Sequence, residues 1–346
     1  MLLFIARRVG MMVLTAVVLT MIVFWLTNLP PNLEKLARSE GSVRMTDESV
    51  QSWLSENGFA QPLLVRYGEW LGVLPGWTYD NEGVMHGRCM TVGVVTETVP
   101  RFCGVLQGDW GFSTSLKEPV LDLVAQGLGR TAWLMLFVML VMVPGALLIG
   151  IMAGMREGSR LDRSLSTVSI ISTATPEYVS GVVFITLLAS SSGFKIFNGS
   201  ANSATEDITF VNFTLPVMTI ALYGMGYIAR MTRASMTEVM TAQYIRTARL
   251  KGVSFTNIVI KHALRNALIA PFTVIMLQFP WLLNGVVIVE TLFNYKGFGW
   301  TLVNAAGTND INLLLGVSVV SVFVVLVTQL ISDIGYVYLN PRIRIS

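Results

Sequence analysis

Charged residues are scarce in this chain of 346 residues, of which only 13% are Asp, Glu, Lys or Arg. An ordinary soluble domain carries about 25% charged residues, so this composition excludes that class. Hydrophobic residues make up 53% of the chain, and the mean hydropathy is +0.62. The chain therefore has the composition of a polytopic membrane protein.

Residues and motifs that carry catalytic chemistry are also few. The two histidines, His86 and His262, cannot make a convincing metal cluster. The dipeptide Gly-Lys does not occur, so the chain lacks the phosphate-binding loop Gly-x-x-x-x-Gly-Lys-[Ser/Thr]. We therefore predict no catalytic residue, no metal site and no cofactor in this chain, and no nucleic-acid partner.

Cysteine is nearly absent. The chain has two cysteines, Cys89 and Cys103, and both lie in one polar loop. If that loop is extracytoplasmic, its compartment permits a disulfide. We predict a bond between these two residues, and the alternative is a pair of unpaired thiols in a reducing compartment.

Long apolar runs dominate what is present. A helix needs about 20 apolar residues to cross the hydrocarbon core of a bilayer. Six segments approach or exceed this length, at approximately 9–29, 131–155, 165–189, 213–229, 267–292 and 313–339. The first run is too long for the apolar part of a signal peptide, and no small-x-small cleavage site follows it. We therefore expect it to persist as a membrane helix.

The placement of Lys and Arg predicts the orientation of these helices, because cytoplasmic loops are enriched in both residues. Seven lie between 230 and 265, whereas the short loops of the opposite side hold only Lys195 and Lys296. Arg7 and Arg8 precede the first apolar run. We expect both termini in the cytoplasm and a long extracytoplasmic loop after the first helix.

The predicted fold is thus an all-α polytopic membrane protein with six transmembrane helices. Residues 1–29 form the N-terminus and first helix, 30–130 the long loop, and 131–346 a five-helix core. Within the loop, Thr46 followed by acids predicts a helix start, and Asn57-Gly58 predicts its end. A second helix over 63–74 either lies along the outer membrane surface or packs on the ends of the helix bundle.

The most informative segment is basic and spans residues 243–271. Residues 243–251 contain no helix breaker, and Gly252 is a suitable helix end. Within this helix, Tyr244, Ala248, Lys251 and Gly252 recur at helical spacing and are expected to share a face. Ser254 can cap a second helix that continues to Ala270, where Pro271 interrupts it. Composition alone would favour a loop that lies against anionic lipid.

Spacing within this segment resembles the cytoplasmic loop signature of ATP-binding-cassette import permeases. That signature has two small residues, three variable residues, glycine, nine residues and then Ile-x-Leu-Pro. Thr247 and Ala248 match the small pair, Gly252 the glycine and Leu264 the leucine. The chain departs from the signature at Arg265, which replaces the proline, and at Arg246, where many members have Glu.

Further motifs resemble the B-type permease subunit of dipeptide and oligopeptide importers, in the same order along the chain. Residues 244–252 and 262–268 are similar to that branch, and 108–113 read Gly-Asp-Trp-Gly-Phe-Ser. The runs 290–293, 297–299 and 340–344 also fit it. The resemblance covers nearly the whole chain, except that about 75–106, with both cysteines, looks like an insertion.

The resemblance implies a type I importer permease fold in the bacterial inner membrane. Implied partners are a second homologous permease, two cytoplasmic ATPase subunits that bind ATP and Mg, an extracytoplasmic solute-binding protein and membrane lipid. Coupling helices would lie at about 240–266. The residues expected to contact an ATPase are Tyr244, Ile245, Arg246, Thr247, Ala248, Arg249, Lys251 and Gly252.

The cargo expected from the resemblance is peptides or similar small solutes. The same family also includes permeases for oligosaccharide, glutathione or nickel, and these remain alternatives. A stand-alone secondary transporter is the competing class of function. Such transporters often carry several charges within the membrane, and few are present here.

Three polar residues in or beside the apolar segments are candidates for the transport pathway. Glu177 follows Pro176 about 11 residues into the third segment, which places it near mid-bilayer on a straight helix. A carboxylate within the membrane is costly and is a functional candidate by default. Asn284 and Glu290 fall in the outer half of the fifth segment and its exit. The alternative for Glu177 is a structural hydrogen bond to another helix.

Overall fold

The computed structural model of the chain describes residues 2–42, 44–81, 84–89, 100–190 and 193–339. Across these ranges the regular structure is helical apart from one two-stranded antiparallel hairpin. Within these described ranges, four helices are long and apolar enough to cross a membrane, or up to six if each of two bent pairs forms one span. The predicted helical membrane architecture is confirmed, and the number of spans stays a prediction.

The elements follow the chain in a simple order. The helices are α1 (Leu2–Thr27), α2 (Pro30–Glu40), α3 (Asp47–Glu56), α4 (Leu63–Leu71), α5 (Val120–Gly154), α6 (Arg160–Ala174), α7 (Glu177–Phe184), α8 (Phe210–Thr241), α9 (Gln243–Leu250), α10 (Phe255–Asn257), α11 (Leu264–Ala267), α12 (Ile269–Leu292), α13 (Phe298–Thr308) and α14 (Ile311–Leu339). The strands are β1 (Thr78–Asn81) and β2 (Val84–Gly87). Short 3₁₀ turns cover Val105–Gln107 and Asn202–Thr205, and π-helical turns cover Ile185–Ala189 and Ile258–Ala263.

The chain divides into two compact units. The unit called N-terminal here comprises Ile5–Gly127 and Thr301–Val324. The central unit comprises Leu128–Trp300 together with Met1–Phe4 and Val325–Ser346. The predicted core of 131–346 included residues 301–324, which the structure groups with the N-terminal unit instead.

Helix α3 of the N-terminal unit begins and ends where the sequence predicts. The side chain of Thr46 accepts a hydrogen bond from the backbone N–H of Ser49, and Asn57 closes the helix. A side-chain oxygen at this position satisfies one of the backbone donors that a helix start leaves unpaired. Val50 and Leu54 are buried on its inner face. The predicted helix is therefore confirmed, whereas helix α2, which begins at Pro30, was not predicted.

Helix α4 packs against the first membrane helix. The rings of Tyr67 and Trp70 lie 5.4 Å and 5.7 Å from the ring of Phe24, measured between centroids. Both side chains are buried, at 9% and 4% exposed. Of the two predicted positions for this helix, the structure favours packing on other helices over a position along the membrane surface. Its aromatic rings are covered by protein and are not presented to lipid headgroups.

The segment proposed as an insertion contains the hairpin. Strand β1 pairs with β2 so that Thr78 lies opposite Gly87. Just beyond β2, Cys89 and Cys103 are joined by a disulfide. The hairpin was not predicted, because strands of four residues are too short to show an alternating apolar pattern.

A buried carboxylate ties the segment before α5 to the start of α14, within the N-terminal unit. Asp310 is fully buried, and its Oδ2 accepts from the hydroxyls of Ser113 at 2.6 Å and Ser115 at 2.9 Å. Its Oδ1 accepts from the backbone N–H of Leu313 at 3.1 Å. The charge therefore caps the helix start, where the helix dipole favours an anion.

Helix α5 supplies the centre of the central unit. Leu134, Val138, Met142 and Ala146 recur every four residues along it, and none is exposed. Helix α8 packs against α6, α7 and α12. At Gly150 of α5 an added Cβ would lie 2.6 Å from the carbonyl oxygen of Ala229 on α8. Only a residue without a side chain allows the two membrane helices to approach this closely.

The third apolar segment is broken rather than straight. Helices α6 and α7 meet at an angle of 104°. Between the two helices, Thr175 has an extended backbone and Pro176 immediately precedes α7. The helix breaks here because proline lacks an N–H and disfavours a helical conformation in the residue before it. The predicted depth of Glu177 assumed a straight helix and is therefore wrong as argued.

The fifth apolar segment begins with a bend of 49° between Phe255–Ala267 and Ile269–Gln278. The bend lies at Leu268, which separates α11 from α12. Pro271 falls in the first turn of α12, where its missing N–H would have no helical partner anyway. The expectation that Pro271 itself interrupts the helix is therefore wrong by three residues.

We predict that Asp310→Ala destabilises the chain, because three or more buried donors lose their acceptor. Each buried donor left unsatisfied costs about 1–3 kcal/mol. The midpoint of thermal unfolding of the detergent-solubilised chain should fall by several degrees. The control is Asp47→Ala, which removes an exposed pair with Arg38 and should leave the midpoint nearly unchanged. Equal shifts of the unfolding midpoint in the two variants would contradict the stabilising role assigned to Asp310.

Candidate functional site

The basic segment leaves helix α8 at Ala242, whose extended backbone separates α8 from α9. Helix α9 then runs for eight residues from Gln243 to Leu250. Gly252 follows with φ of 77°, a left-handed conformation that costs other residues roughly 1–2 kcal/mol. An added Cβ at Gly252 would meet nothing within 4 Å, so the glycine serves the turn alone. The predicted short helix and tight turn are confirmed.

Two apolar side chains seat α9 on the central unit. Ile245 is fully buried and Ala248 is 9% exposed. They pack with Met236 of α8 and with the helical stretch after the turn, in a cluster that also contains Ile258, Val259, Ala263 and Ala267. The predicted shared face of Tyr244, Ala248, Lys251 and Gly252 is therefore wrong. The buried residues of this helix are instead Ile245 and Ala248, three positions apart, and these two side chains are not available to a partner.

The opposite face of α9 is open to solvent and carries both charge and apolar surface. Leu250 is 82% exposed and Tyr244 is 43% exposed. The remaining exposed members of the predicted set are Arg246, Thr247, Arg249, Lys251 and Gly252. Leu250 was not among the residues predicted from the sequence to contact an ATPase. Leu250 and Tyr244 therefore place apolar surface beside the cationic side chains of this face.

The helical stretch after the turn contains a π-helical turn at Ile258–Ala263. Such turns occur often at functional sites. Asn266 donates from Nδ2 to the hydroxyl of Tyr244 at 3.0 Å and so links α11 to α9. The side chain of Ser254 makes no capping bond, although its carbonyl accepts from the N–H of Ile258 at 3.0 Å. The second helix is thus present, but in three pieces rather than one.

An ion pair joins α6 to α8 close to the start of the basic segment. Arg233 donates from Nε to Oδ1 of Asp162 at 2.5 Å and from its terminal nitrogen to Oδ2 at 2.8 Å. Asp162 is 2% exposed and also accepts from the N–H of Gly158 at 2.9 Å. The bidentate geometry makes this a strong pair. It was not predicted, because its members are 71 residues apart in the chain.

Glu177 lies at the start of α7 and is 9% exposed. Its carboxylate faces α12 at Gly285, where an added Cβ would be 2.8 Å from Oε2. The absence of a side chain at Gly285 therefore makes room for the acid. The break before α7 thus brings a carboxylate against another membrane helix.

Glu290 lies in a network of hydrogen bonds within the central unit. It is fully buried and accepts from the hydroxyl of Thr131 and, at 3.0 Å, from the N–H of Trp300. Thr131 in turn accepts from the N–H of Phe298 at 2.8 Å. The acid therefore fixes the turn between α12 and α13. This arrangement favours a structural role over direct contact with cargo.

The last predicted pathway residue, Asn284, has a side chain that lies outside the described residues, as do residues 340–344 of the C-terminal motif. Among the described residues, no group of three or more His, Cys, Asp or Glu side chains is placed to hold a metal ion. The two cysteines are bonded to each other.

Comparison with known proteins adds to this geometry. The model of a family described as binding-protein-dependent transport system inner membrane component matches residues 146–345. The chain is 34% identical over 242 residues to a probable peptide ABC transporter permease protein of Sinorhizobium fredii, covering 69% of this chain and 77% of that protein. It is 27% identical over 342 residues to a putative peptide transport system permease protein of Brucella abortus, covering 98% of each. It is 32% identical over 239 residues to a glutathione transport system permease protein of Escherichia coli, covering 69% and 76%.

Long apolar helices with exposed hydrophobic side chains define a multi-pass membrane protein, and its homology is to transport subunits. The chain belongs to the family of binding-protein-dependent inner-membrane components, the permeases of ABC importers, and lies in the bacterial inner membrane. The resemblance to peptide importer permeases predicted from the motifs is confirmed. The chain is therefore a transport subunit.

We predict that the Asp162–Arg233 pair stabilises the central unit. Removal of one partner of a buried pair typically costs about 3–5 kcal/mol, and the lower end applies here because Arg233 is partly exposed. Asp162→Asn and Arg233→Gln should each lower the thermal unfolding midpoint, and the double variant should lose less than the sum of both. Arg230→Gln, on the same helix but exposed, is the control. Additive losses for Asp162 and Arg233 would show that the two side chains do not interact.

Proposed function

We propose that this chain is the permease subunit of an ATP-driven, binding-protein-dependent importer and couples to a cytoplasmic ATPase through residues 244–252. The observation that carries the proposal is the two-sided character of α9. One face is buried through Ile245 and Ala248, and the other exposes Leu250, Tyr244 and three cationic side chains.

This arrangement suits the transmission of force. Because Ile245 and Ala248 pack into the central unit, a partner that moves α9 also moves the helices beneath it. Arg246, Arg249 and Lys251 offer donors for acidic groups or carbonyls of an ATPase. Leu250 and Tyr244 supply apolar contact, and aromatic residues often dominate interface energies. Lipid binding alone does not require a seated, rigid helix.

The remaining parts of the importer follow from the family. A second homologous permease would complete the pathway, two ATPase subunits would bind ATP and Mg, and a solute-binding protein would deliver cargo outside. Both termini would be cytoplasmic, with six spans if each bent helix pair crosses once. The segment 75–106 would contact the binding protein or cover the outer mouth of the pathway.

Peptides are the proposed cargo class. The relatives from Sinorhizobium fredii and Brucella abortus carry peptide permease names, and they support this choice. The Escherichia coli relative is named for glutathione, itself a small peptide-like solute, so glutathione is the second candidate. Glu177 is the proposed pathway residue of this chain, since it is a carboxylate at a helix break.

We predict that Tyr244→Ala and Leu250→Ala weaken attachment of the ATPase and uncouple ATP hydrolysis from uptake. Both side chains are exposed, so the fold should survive. The readouts are co-purification of the ATPase and peptide uptake by vesicles that contain the complete importer. Phe194→Ala, at a phenylalanine 73% exposed outside the segment, is the matched control. Normal coupling in both variants would contradict the proposal, as would gradient-driven uptake by the chain reconstituted alone.

We predict that Gly285→Ala disturbs transport through Glu177. The new methyl group would lie 2.8 Å from Oε2 of Glu177 and must displace the carboxylate. Overpacking of this kind typically costs about 1–3 kcal/mol. If Glu177 contacts cargo, Gly285→Ala and Glu177→Gln should both change KM for peptide uptake while ATPase attachment stays normal. A loss of stability with unchanged KM would instead assign Glu177 a structural role.

A further inference from the structure

The N-terminal unit encloses a cavity of about 280 Å³ that shares no residue with α9 or with the surroundings of Glu177. Ligand pockets in proteins usually measure about 300–1,000 Å³, so this volume suits a small solute. Its wall combines tryptophan rings, two guanidinium groups and carboxylates, which is unusual for a packing defect. Trp53, Trp70, Trp77, Arg66, Arg88 and Glu40 are the members that bear on its chemistry.

Arg66 is already satisfied by the protein. It is 9% exposed and donates to Oδ1 of Asn28. Its guanidinium also lies 5.0 Å from the ring centre of Phe59. Burial lowers the pKa of Arg66, and Glu69 opposes that effect. Arg66 therefore lines the cavity as a structural residue, and we do not assign it the role of binding a ligand.

Arg88 differs from Arg66 in having an unused donor. It follows strand β2 directly, and its Nε is buried without a hydrogen-bond partner among the described residues. Burial lowers the pKa of Arg88, and the nearby carboxylates of Asp109 and Glu69 partly offset this. A buried donor without a partner is rare in proteins and calls for an explanation. Arg88 lines the cavity, so the carboxylate of a solute that entered it would lie beside the guanidinium group.

Glu40 offers the opposite charge at the open side of the cavity. It lines the cavity and is exposed to solvent at the end of α2. Partial burial raises the pKa of Glu40, Lys117 lowers it, and Asp310 raises it. The carboxylate of Glu40 would therefore attract a cationic group of a bound solute. Three tryptophan rings lie in the wall as well, and such rings attract both apolar groups and cations.

We propose that this cavity binds a small zwitterionic solute with an apolar side chain, of the free amino acid or dipeptide class. The solute carboxylate pairs with Arg88, its ammonium group lies at Glu40, and its side chain packs against the tryptophans. Trp77 and Arg88 flank the hairpin of the segment 75–106. The described part of that segment therefore contributes two residues to the binding site, and this assignment does not depend on coupling to an ATPase.

The test is calorimetric titration of the full chain in lipid nanodiscs. The probes are L-phenylalanine and the dipeptide Ala-Phe, which distinguish the two sources of the shared chemistry. Ala-Phe amide lacks the carboxylate, and N-acetyl-Ala-Phe lacks the ammonium group. We expect saturable binding of at least one zwitterion, and roughly tenfold weaker binding in Arg88→Gln because a charge-assisted hydrogen bond is lost. Arg101→Gln, at an exposed arginine of the same segment that does not line the cavity, should bind normally.

A second variant, Glu40→Gln, and the two probes that lack one charge test the two ends of the solute separately. Glu40→Gln should weaken the zwitterion but leave N-acetyl-Ala-Phe unaffected, and this surface change does not threaten the fold. Mass spectrometry of the Cys89–Cys103 disulfide verifies folding of Arg88→Gln. No saturable binding, unchanged binding in both variants, or binding lost only in Glu177→Gln would overturn the site. Failure here leaves the ATPase proposal untouched, because no partner subunit is used.

Discussion

Burial of Ile245 and Ala248 is the constraint on which the account of this chain depends. An isoleucine side chain removed from water contributes about 1.5–3 kcal/mol, which is enough to hold a helix of eight residues that would not be stable alone. The same two residues determine which side chains of the helix are exposed to solvent. With them turned inward, Leu250, Tyr244 and the basic side chains are left outside.

Close packing and an ion pair join the helices beneath α9. Gly150 lets α5 and α8 approach closely, and the Asp162–Arg233 pair ties α6 to α8. Breaks at Pro176 and Leu268 divide two of the apolar segments into shorter helices that meet at angles of 104° and 49°. A membrane tolerates such breaks only where the freed backbone groups find partners inside the protein. The helices of the central unit are thus joined at defined points by close packing and by the Asp162–Arg233 pair.

The sequence predicts the local features of this structure well and the long-range ones poorly. The cap at Thr46, the end at Gly252 and the apolar runs each depend on a few neighbouring residues. The pairs Arg233–Asp162 and Asp310–Ser113 join positions far apart in the chain, so no local pattern reveals them. Which face of α9 is buried depends on packing against residues distant in the chain, and helical spacing alone does not predict it. The hairpin and helix α2 were too short to leave a periodic signal.

Rigidity of α9 on the central unit is the claim that a distance measurement tests most directly. Spin labels would replace Arg249 on α9 and Met231 on α8, both exposed positions. The native cysteines are bonded to each other and do not react with the label. Within the complete importer, the 249–231 distance should stay the same with and without ATP, while the distance from 249 to the partner permease changes. A 249–231 distance that changes with ATP would show that α9 swings on its own and does not transmit motion to the membrane helices.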